Sequence, residues 1–349
     1  MRGYKATIVT LCLGSLLSIS FWYMQDDSTL GLYRAPRMKR QPLKSSQICE
    51  GCQPIIQDVV RRYNQTWRKE PDTFKEFKQE LHAKCNGFDD AIITQANTPL
   101  GKQIKFDGSL KTLLVLPTLF NLFPEGHPFG NKTWNKCSVV GNGGILADSN
   151  CGQKIDSADY VIRCNLPPIK DEYRSDVGTK TDIVTANPSI ILRMYNSLME
   201  SRLPFVEKLQ SYGSAKILLP AFSYRANTGL SLRAVHTLKD FNSKARPVFF
   251  NPMYLKKLSE FWLSKGIKAQ RLSTGLMMVS LALELCQNVN VYGFWPFNSH
   301  PFKSYKVTNH YYDDNWPRAG SHEMPDEFEQ LLRLHSEGVL KLHLGTCDA

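Results

Sequence analysis

No Asp-x-Asp triplet occurs in the 349 residues of the chain, so the usual carboxylate pair for holding a divalent cation between phosphate groups is missing. The complete G-x-G-x-x-G fingerprint of a dinucleotide loop is missing too, because Gly141-Asn-Gly-Gly-Ile-Leu146 ends on a leucine where the last glycine belongs. Internal repeats and long low-complexity tracts are absent, which excludes a solenoid. With 42% hydrophobic and 21% charged residues, the bulk of the chain is not disordered. Acidic residues are in deficit, 32 against 43 lysines and arginines, and the net charge of +11 suits acidic partners: nucleic acid, anionic lipid or an anionic substrate. The length serves one large domain, or two small ones with accessory segments.

Long stretches that are both apolar and uncharged are absent with one exception. From Ala6 to Met24 the run ATIVTLCLGSLLSISFWYM carries no charge and is about long enough to cross a bilayer as a helix. Arg2 and Lys5 precede it and Asp26 and Asp27 follow. A positive flank stays cytoplasmic, which predicts type II topology: a cytoplasmic tail over 1–5, a transmembrane signal-anchor over 6–24, and a lumenal remainder. A cleaved signal peptide is the alternative; against it, the run exceeds a usual signal core, and Ser18, Ser20, Phe21 and Trp22 make no clean small-x-small site.

Eight of the nine cysteines lie beyond the anchor, where disulfides persist. Asn64-Gln-Thr and Asn131-Lys-Thr are glycosylation acceptors of the same compartment, whereas Asn187-Pro-Ser is blocked by its proline. A lumenal address removes most of the case for nucleic acid. Residues 25–60 are polar, proline-spaced and basic, with Arg34, Arg37, Lys39, Arg40 and Lys44, the composition of a solvated stem. Residues 61–349 then form the lumenal domain. Cys49-x-x-Cys52 could serve zinc or redox chemistry, but an oxidising stem favours a disulfide, within the chain or between two chains of a homodimer.

Apolar runs predict strands at Ser138–Gly141, Tyr160–Cys164, Asp182–Thr185, Ile217–Pro220, Val248–Asn251 and Val289–Tyr292. Helical spacing predicts helices at Pro71–Ala83, Ile190–Glu200, Leu203–Ser211, Met253–Lys265 and Gly275–Cys286. The alternation argues for an α/β fold with a mostly parallel sheet covered on both faces and ligands at the carboxyl ends of the strands.

Three segments carry chemistry. Cys137-Ser-Val-Val-Gly-Asn-Gly-Gly-Ile-Leu is a strand entering a glycine turn, where Gly141, Gly143 and Gly144 admit a ligand close to the backbone and Asn142 offers donor and acceptor. A strand-end turn without a ligand is the plainer reading. In Arg271-Leu-Ser-Thr-Gly-Leu-Met-Met, Ser273 is a natural N-cap, and the amides of the following turn form an anion site, or are merely capped. His310-Tyr-Tyr-Asp and His322-Glu-Met-Pro-Asp-Glu place two histidines in a polar, aromatic stretch, with Pro325, Asp326 and Glu327 starting a helix just after His322.

Together, Cys137–Thr185, Arg271–Trp295, His310–Asp313 and His322–Glu327 resemble, in order, the large, small, third and very small sialyl motifs of the animal sialyltransferases, over most of Cys137 to Cys347. Arg163-Cys-Asn-Leu-Pro-Pro, Asn187-Pro-Ser-Ile-Ile and Tyr292-Gly-Phe-Trp-Pro-Phe resemble its alpha-2,8 branch, and its mono- and oligosialyl members rather than its polymerases.

The resemblance implies a Rossmann-like, GT-A-like variant fold and a Golgi enzyme with CMP-sialic acid as donor and a sialylated glycolipid or glycoprotein as acceptor. It implies that Asn142, Asn165, Ser273, Thr274, Gly275 and Trp295 contact the donor, that His310 helps hold the phosphate, and that His322 is the base. It also implies inversion without a metal or other cofactor, disulfides Cys137–Cys286 and Cys151–Cys347, and a free, buried Cys164. Transfer of sialic acid to galactose in a 2,3 or 2,6 linkage is the rival within the class. A silent sialoglycan- or nucleotide-binding protein is the rival outside it, and a base such as His322 argues against that reading. A dinucleotide oxidoreductase would need the full glycine fingerprint.

Overall fold

The computed structural model describes residues 52–130, 132–269, 271–313 and 324–347. The signal-anchor expected over 6–24, Asn131 and His322 all lie outside the described residues. Among the described residues, no helix is long and apolar enough to cross a membrane.

Two short strands, β1 (Gln103–Lys105) and β2 (Thr112–Leu114), pair as an antiparallel hairpin. The main sheet holds β3 (Trp134–Val140), β4 (Tyr160–Arg163), β5 (Ile183–Thr185), β6 (Lys216–Leu219), β7 (Arg246–Phe249), β8 (Cys286–Tyr292) and β9 (Lys341–His343). Its order is β7-β6-β5-β4-β3-β8-β9, and every pairing is parallel. Every residue of β4 and β5 is buried, as strands covered on both faces require.

Alternate residues feed two cores. Cys137, Val139, Ile162, Ile183 and Leu218 point to one face, and Val140, Val161, Val184, Ile217 and Leu219 to the other. The helix Thr274–Leu285 fills the first face and is buried at every position from Leu276 to Leu285. Each of its leucines contributes roughly 1.5–3 kcal/mol by leaving water. Its one carboxylate, Glu284, accepts the Gly87 amide at 2.6 Å and lies 3.2 Å from His82 Nδ1, while desolvation raises its pKa. Both cores and the disulfides Cys137–Cys286 and Cys151–Cys347 are internal to this part of the chain, which therefore folds on its own. Cys85 and Cys164 are free and buried, and burial pushes both thiols up to about 12, which leaves them inert.

The six expected strands all form, with shifted ends, and four of the five expected helices form at Pro71–Cys85, Arg202–Gln210, Pro252–Ser264 and Thr274–Leu285. The fifth, Ile190–Glu200, stops at Met194, because Asn196, Ser197 and Leu198 take positive φ of 44°, 56° and 59°. Gln53–Tyr63 is a helix that buries Ile56 and Val59, so the folded part begins inside the segment read as stem. Arg225–Asp240 was not expected: Asn227, Thr228, Gly229 and Ser231 dilute its apolar stripe of Leu230, Ala234, Val235 and Leu238.

From β3 the chain builds outward to β7, then crosses back to lay β8 on the other side of β3. The loops leaving Val140 and Tyr292 therefore start side by side at the carboxyl ends of β3 and β8, the point of reversed strand order outside which sheets of this kind have their ligand crevice.

Candidate functional site

Glycines line this crevice because backbone meets backbone there. The Gly141 amide donates to the Tyr292 carbonyl at 2.8 Å, and the Gly143 amide to the Gly293 carbonyl at 2.9 Å. A Cβ on Gly143 would lie 2.7 Å from the Gly293 oxygen, and one on Gly144 only 2.3 Å from the Thr308 oxygen. Gly293 itself has φ of +74°, so the β8 turn needs glycine as much as the β3 turn does.

Asn142, between these glycines, donates its carboxamide nitrogen to the Cys164 carbonyl at 2.8 Å. Its Oδ1 is buried without a hydrogen-bond partner. Leaving a buried acceptor unpaired costs about 1–3 kcal/mol, which a bound donor group would offset. Asn165 follows β4 with φ of +60°; its amide donates to Thr185 Oγ1 at 2.9 Å and its Oδ1 accepts the Thr185 hydroxyl at 3.2 Å. The Asn165 carboxamide nitrogen has no acceptor among the described residues.

Ser273 caps the Thr274–Leu285 helix, its Oγ accepting the Leu276 amide at 3.1 Å. The Thr274 and Gly275 amides of the first turn have no acceptor among the described residues, so they remain for an anion at the positive end of the helix. The Ser273 amide donates to Glu327 at 2.7 Å, and the Thr274 hydroxyl accepts from Asn187 Nδ2 at 3.2 Å. Gly275 faces the Phe294 ring, 2.6 Å from where a Cβ would sit. Trp295 is buried: its indole N–H donates to the Ser299 carbonyl at 2.8 Å, and its ring packs edge-on against Phe297 and Phe328. It supports the β8 turn from beneath, with its donor already used.

His310 Nδ1 lies 2.6 Å from the Asp313 carboxylate, and Asn309 Nδ2 lies 3.2 Å from Nε2. The imidazole stacks on Tyr312 with ring centroids 5.1 Å apart. The Tyr312 hydroxyl accepts from Asn142 Nδ2 at 3.5 Å, and the Tyr311 amide donates to the Asn142 carbonyl at 2.9 Å. This loop is therefore tied to the β3 turn by main chain and side chain together. Tyr311 anchors it from behind, donating its hydroxyl to the Pro168 carbonyl at 2.6 Å.

The fold thus brings Asn142, Asn165, Ser273, Thr274, Gly275 and His310 to one edge of the sheet, with Trp295 packed beneath it. Asn64, the other expected glycosylation acceptor, is exposed just after the Gln53–Tyr63 helix. Sequence reasoning did not single out Asn187, Glu327, Asn309 or Asp313 as site residues. Asn187 had a signal, an Asn-Pro pair closing a strand, and Asp313 sits one helical step from His310; Glu327 acts across 54 residues of chain and had none beyond its place in a helix start.

Alpha-2,8-sialyltransferase 8F of Mus musculus is 42% identical over 325 residues, covering 87% of this chain and 81% of the relative. Alpha-N-acetylneuraminide alpha-2,8-sialyltransferase of Xenopus tropicalis is 45% identical over 298 residues, covering 85% and 86%. A mammalian sialyltransferase of known crystal structure is 21% identical with a TM-score of 0.44, covering 89% of this chain and 92% of that one. The model of glycosyltransferase family 29 (sialyltransferase) matches residues 84–339, and the chain belongs to that family.

Proposed function

We propose that the chain transfers sialic acid from CMP-sialic acid to the 8-hydroxyl of a terminal sialic acid on a glycolipid or glycoprotein glycan, with inversion and without a metal. The observation that carries the donor side is the set of unclaimed groups at one edge of the sheet: the Thr274 and Gly275 amides, the Asn165 carboxamide nitrogen and the orphan Asn142 Oδ1. Two relatives above 40% identity bear alpha-2,8 names, which supports the linkage.

In this reading the first-turn amides and His310 hold the phosphate of the departing CMP, and Asp313 keeps the His310 imidazole oriented. His322 takes the proton of the acceptor hydroxyl as the bond to the anomeric carbon forms on the face opposite the leaving phosphate, at roughly 10²–10⁴-fold in rate. Asn142 and Asn165 pair with polar edges of the donor. The absence of an Asp-x-Asp triplet supports catalysis without a divalent cation. We further place the enzyme in the Golgi membrane, anchored over 6–24 with residues 61–349 in the lumen; the cysteines and sequons support that address.

The test is transfer from CMP-sialic acid, with chelator present, to paired acceptors with and without terminal sialic acid, beside a His322→Ala control. The reading predicts chelator-resistant transfer to the sialylated member of each pair, abolished in the variant. Transfer to bare galactose would move the linkage to 2,3 or 2,6, and donor binding without transfer would make the chain a silent binding protein.

A further inference from the structure

Four exposed leucines crowd the β1–β2 hairpin and its base: Leu100, Leu110, Leu114 and Leu116. The Gly101 amide donates to the Val115 carbonyl and the Val115 amide to the Lys102 carbonyl, each at 2.9 Å, so Leu100 and Leu116 close the same hairpin whose far end carries Leu110. Leu110 is as exposed as in an extended peptide, at 104%. Between the hairpin and the Arg225–Asp240 helix runs a cavity of about 600 Å³, with Phe106, Leu113 and Leu232 inside it and Lys111 and Arg225 beside them.

Basic side chains predominate here, with Lys105, Lys111 and Arg225 exposed beside a single acid, Asp107. Lys105, Lys111 and Arg225 make no ion pair among the described residues, and the hairpin's one acid, Asp107, hydrogen-bonds the Ser223 side chain. Ser223 Oγ also accepts from Arg271, which leads into the Ser273 cap, so this face adjoins the candidate donor crevice. A wedge of leucines alternating with unpaired lysines suits an apolar layer beneath anionic headgroups. A second copy of the same face would bring lysine against lysine.

We propose that the hairpin and its groove seat the folded domain on an anionic bilayer surface. Leu110 and Leu114 enter the apolar boundary, while Lys105, Lys111 and Arg225 meet the lipid phosphates. The crevice is then held beside the lipid surface, whichever acceptor it serves.

The experiment is flotation of residues 25–349, lacking the apolar run, with vesicles of phosphatidylcholine alone or mixed with phosphatidylglycerol. The proposal predicts flotation with the mixed vesicles that weakens as salt rises. It also predicts about a tenfold loss of partition in Leu110→Asp/Leu114→Asp and a comparable loss in Lys105→Glu/Lys111→Glu. Both double variants should keep the wild-type melting temperature and transfer to a soluble acceptor. The lysine pair is wholly at the surface and serves if the leucine pair fails to fold. No flotation of the wild type, or flotation that both pairs leave intact, overturns the proposal. So does an oligomeric state that changes with the leucine pair while flotation does not.

Discussion

At the ends of β3 and β8, glycines bring backbone within hydrogen-bonding distance of backbone, and the groups that remain unpaired are polar: an asparagine oxygen and two helix-start amides. On the β1–β2 hairpin the backbone is paired, and the uncovered groups are leucines and lysines. The first arrangement leaves a polar ligand little choice of position. The second tolerates many positions of an amphiphile and fixes none. A site that must align a leaving group needs the former, whereas a surface that only has to stay near a membrane is served by the latter. Changes in the crevice should therefore act on turnover and on fold together, and changes on the hairpin on neither.

The largest effect is expected at His322. His322→Ala should lower transfer by roughly 10²–10⁴-fold while CMP still binds, measured as kcat beside a binding titration. Parallel loss of CMP affinity would move this residue from proton transfer to donor binding. Next, Cys137→Ser opens the bridge between β3 and β8, whose partners are 149 residues apart. The loop-closure argument gives about 4–5 kcal/mol of lost stability, read by denaturant unfolding under non-reducing conditions, with donor binding falling alongside it. Gly144→Ala must displace the Thr308 carbonyl that lies 2.3 Å from the new Cβ, at about 1–3 kcal/mol and with weaker CMP binding. The hairpin counterpart, Leu110→Asp, should leave both quantities unchanged.

Stability should also fall with acid. Burial lowers the pKa of His335 to about 4 and of His343 to about 3, and Nδ1 of His335 accepts the Leu342 amide at 3.2 Å. Their folded values lie below the unfolded value near 6.5, so the stabilisation is complete above pH 6.5 and is lost as pH falls toward those folded values. The slope is at most about 1.4 kcal/mol per pH unit for each histidine. Unfolding at pH 7 and pH 5.5 measures it, and His335→Gln should flatten the curve. The smallest change expected in the crevice is Ser273→Ala, which removes the acceptor of the Leu276 amide and costs about 1 kcal/mol in stability.

Much of this was legible in the sequence where chemistry and local pattern coincide. The β3 run ends on Gly141-Asn142, and Ser273 stands directly before a long apolar helix, so strand, turn and cap announce themselves within a few residues. What was hidden depends on distance along the chain. Glu327 reaches the Ser273 amide across 54 residues and Asn187 reaches Thr274 across 87, and no local period encodes either contact. β9 and the hairpin strands are three residues long, too short for alternation to show. Gln53–Tyr63 does carry an apolar face of Ile56, Val59, Val60 and Tyr63, but that face follows directly on the polar, basic tract around Arg34–Lys44, whose tether composition masks it.

The central claim is that the crevice of β3 and β8, and not the hairpin groove, receives the nucleotide. Hydrogen exchange of residues 25–349 with and without CMP tests it most directly. The account predicts slowed exchange in peptides spanning Gly141–Gly144 and Thr274–Leu276, with the hairpin Gln103–Leu114 unchanged. Protection confined to the hairpin and the Arg225–Asp240 helix, with the two crevice segments unaffected, would contradict it.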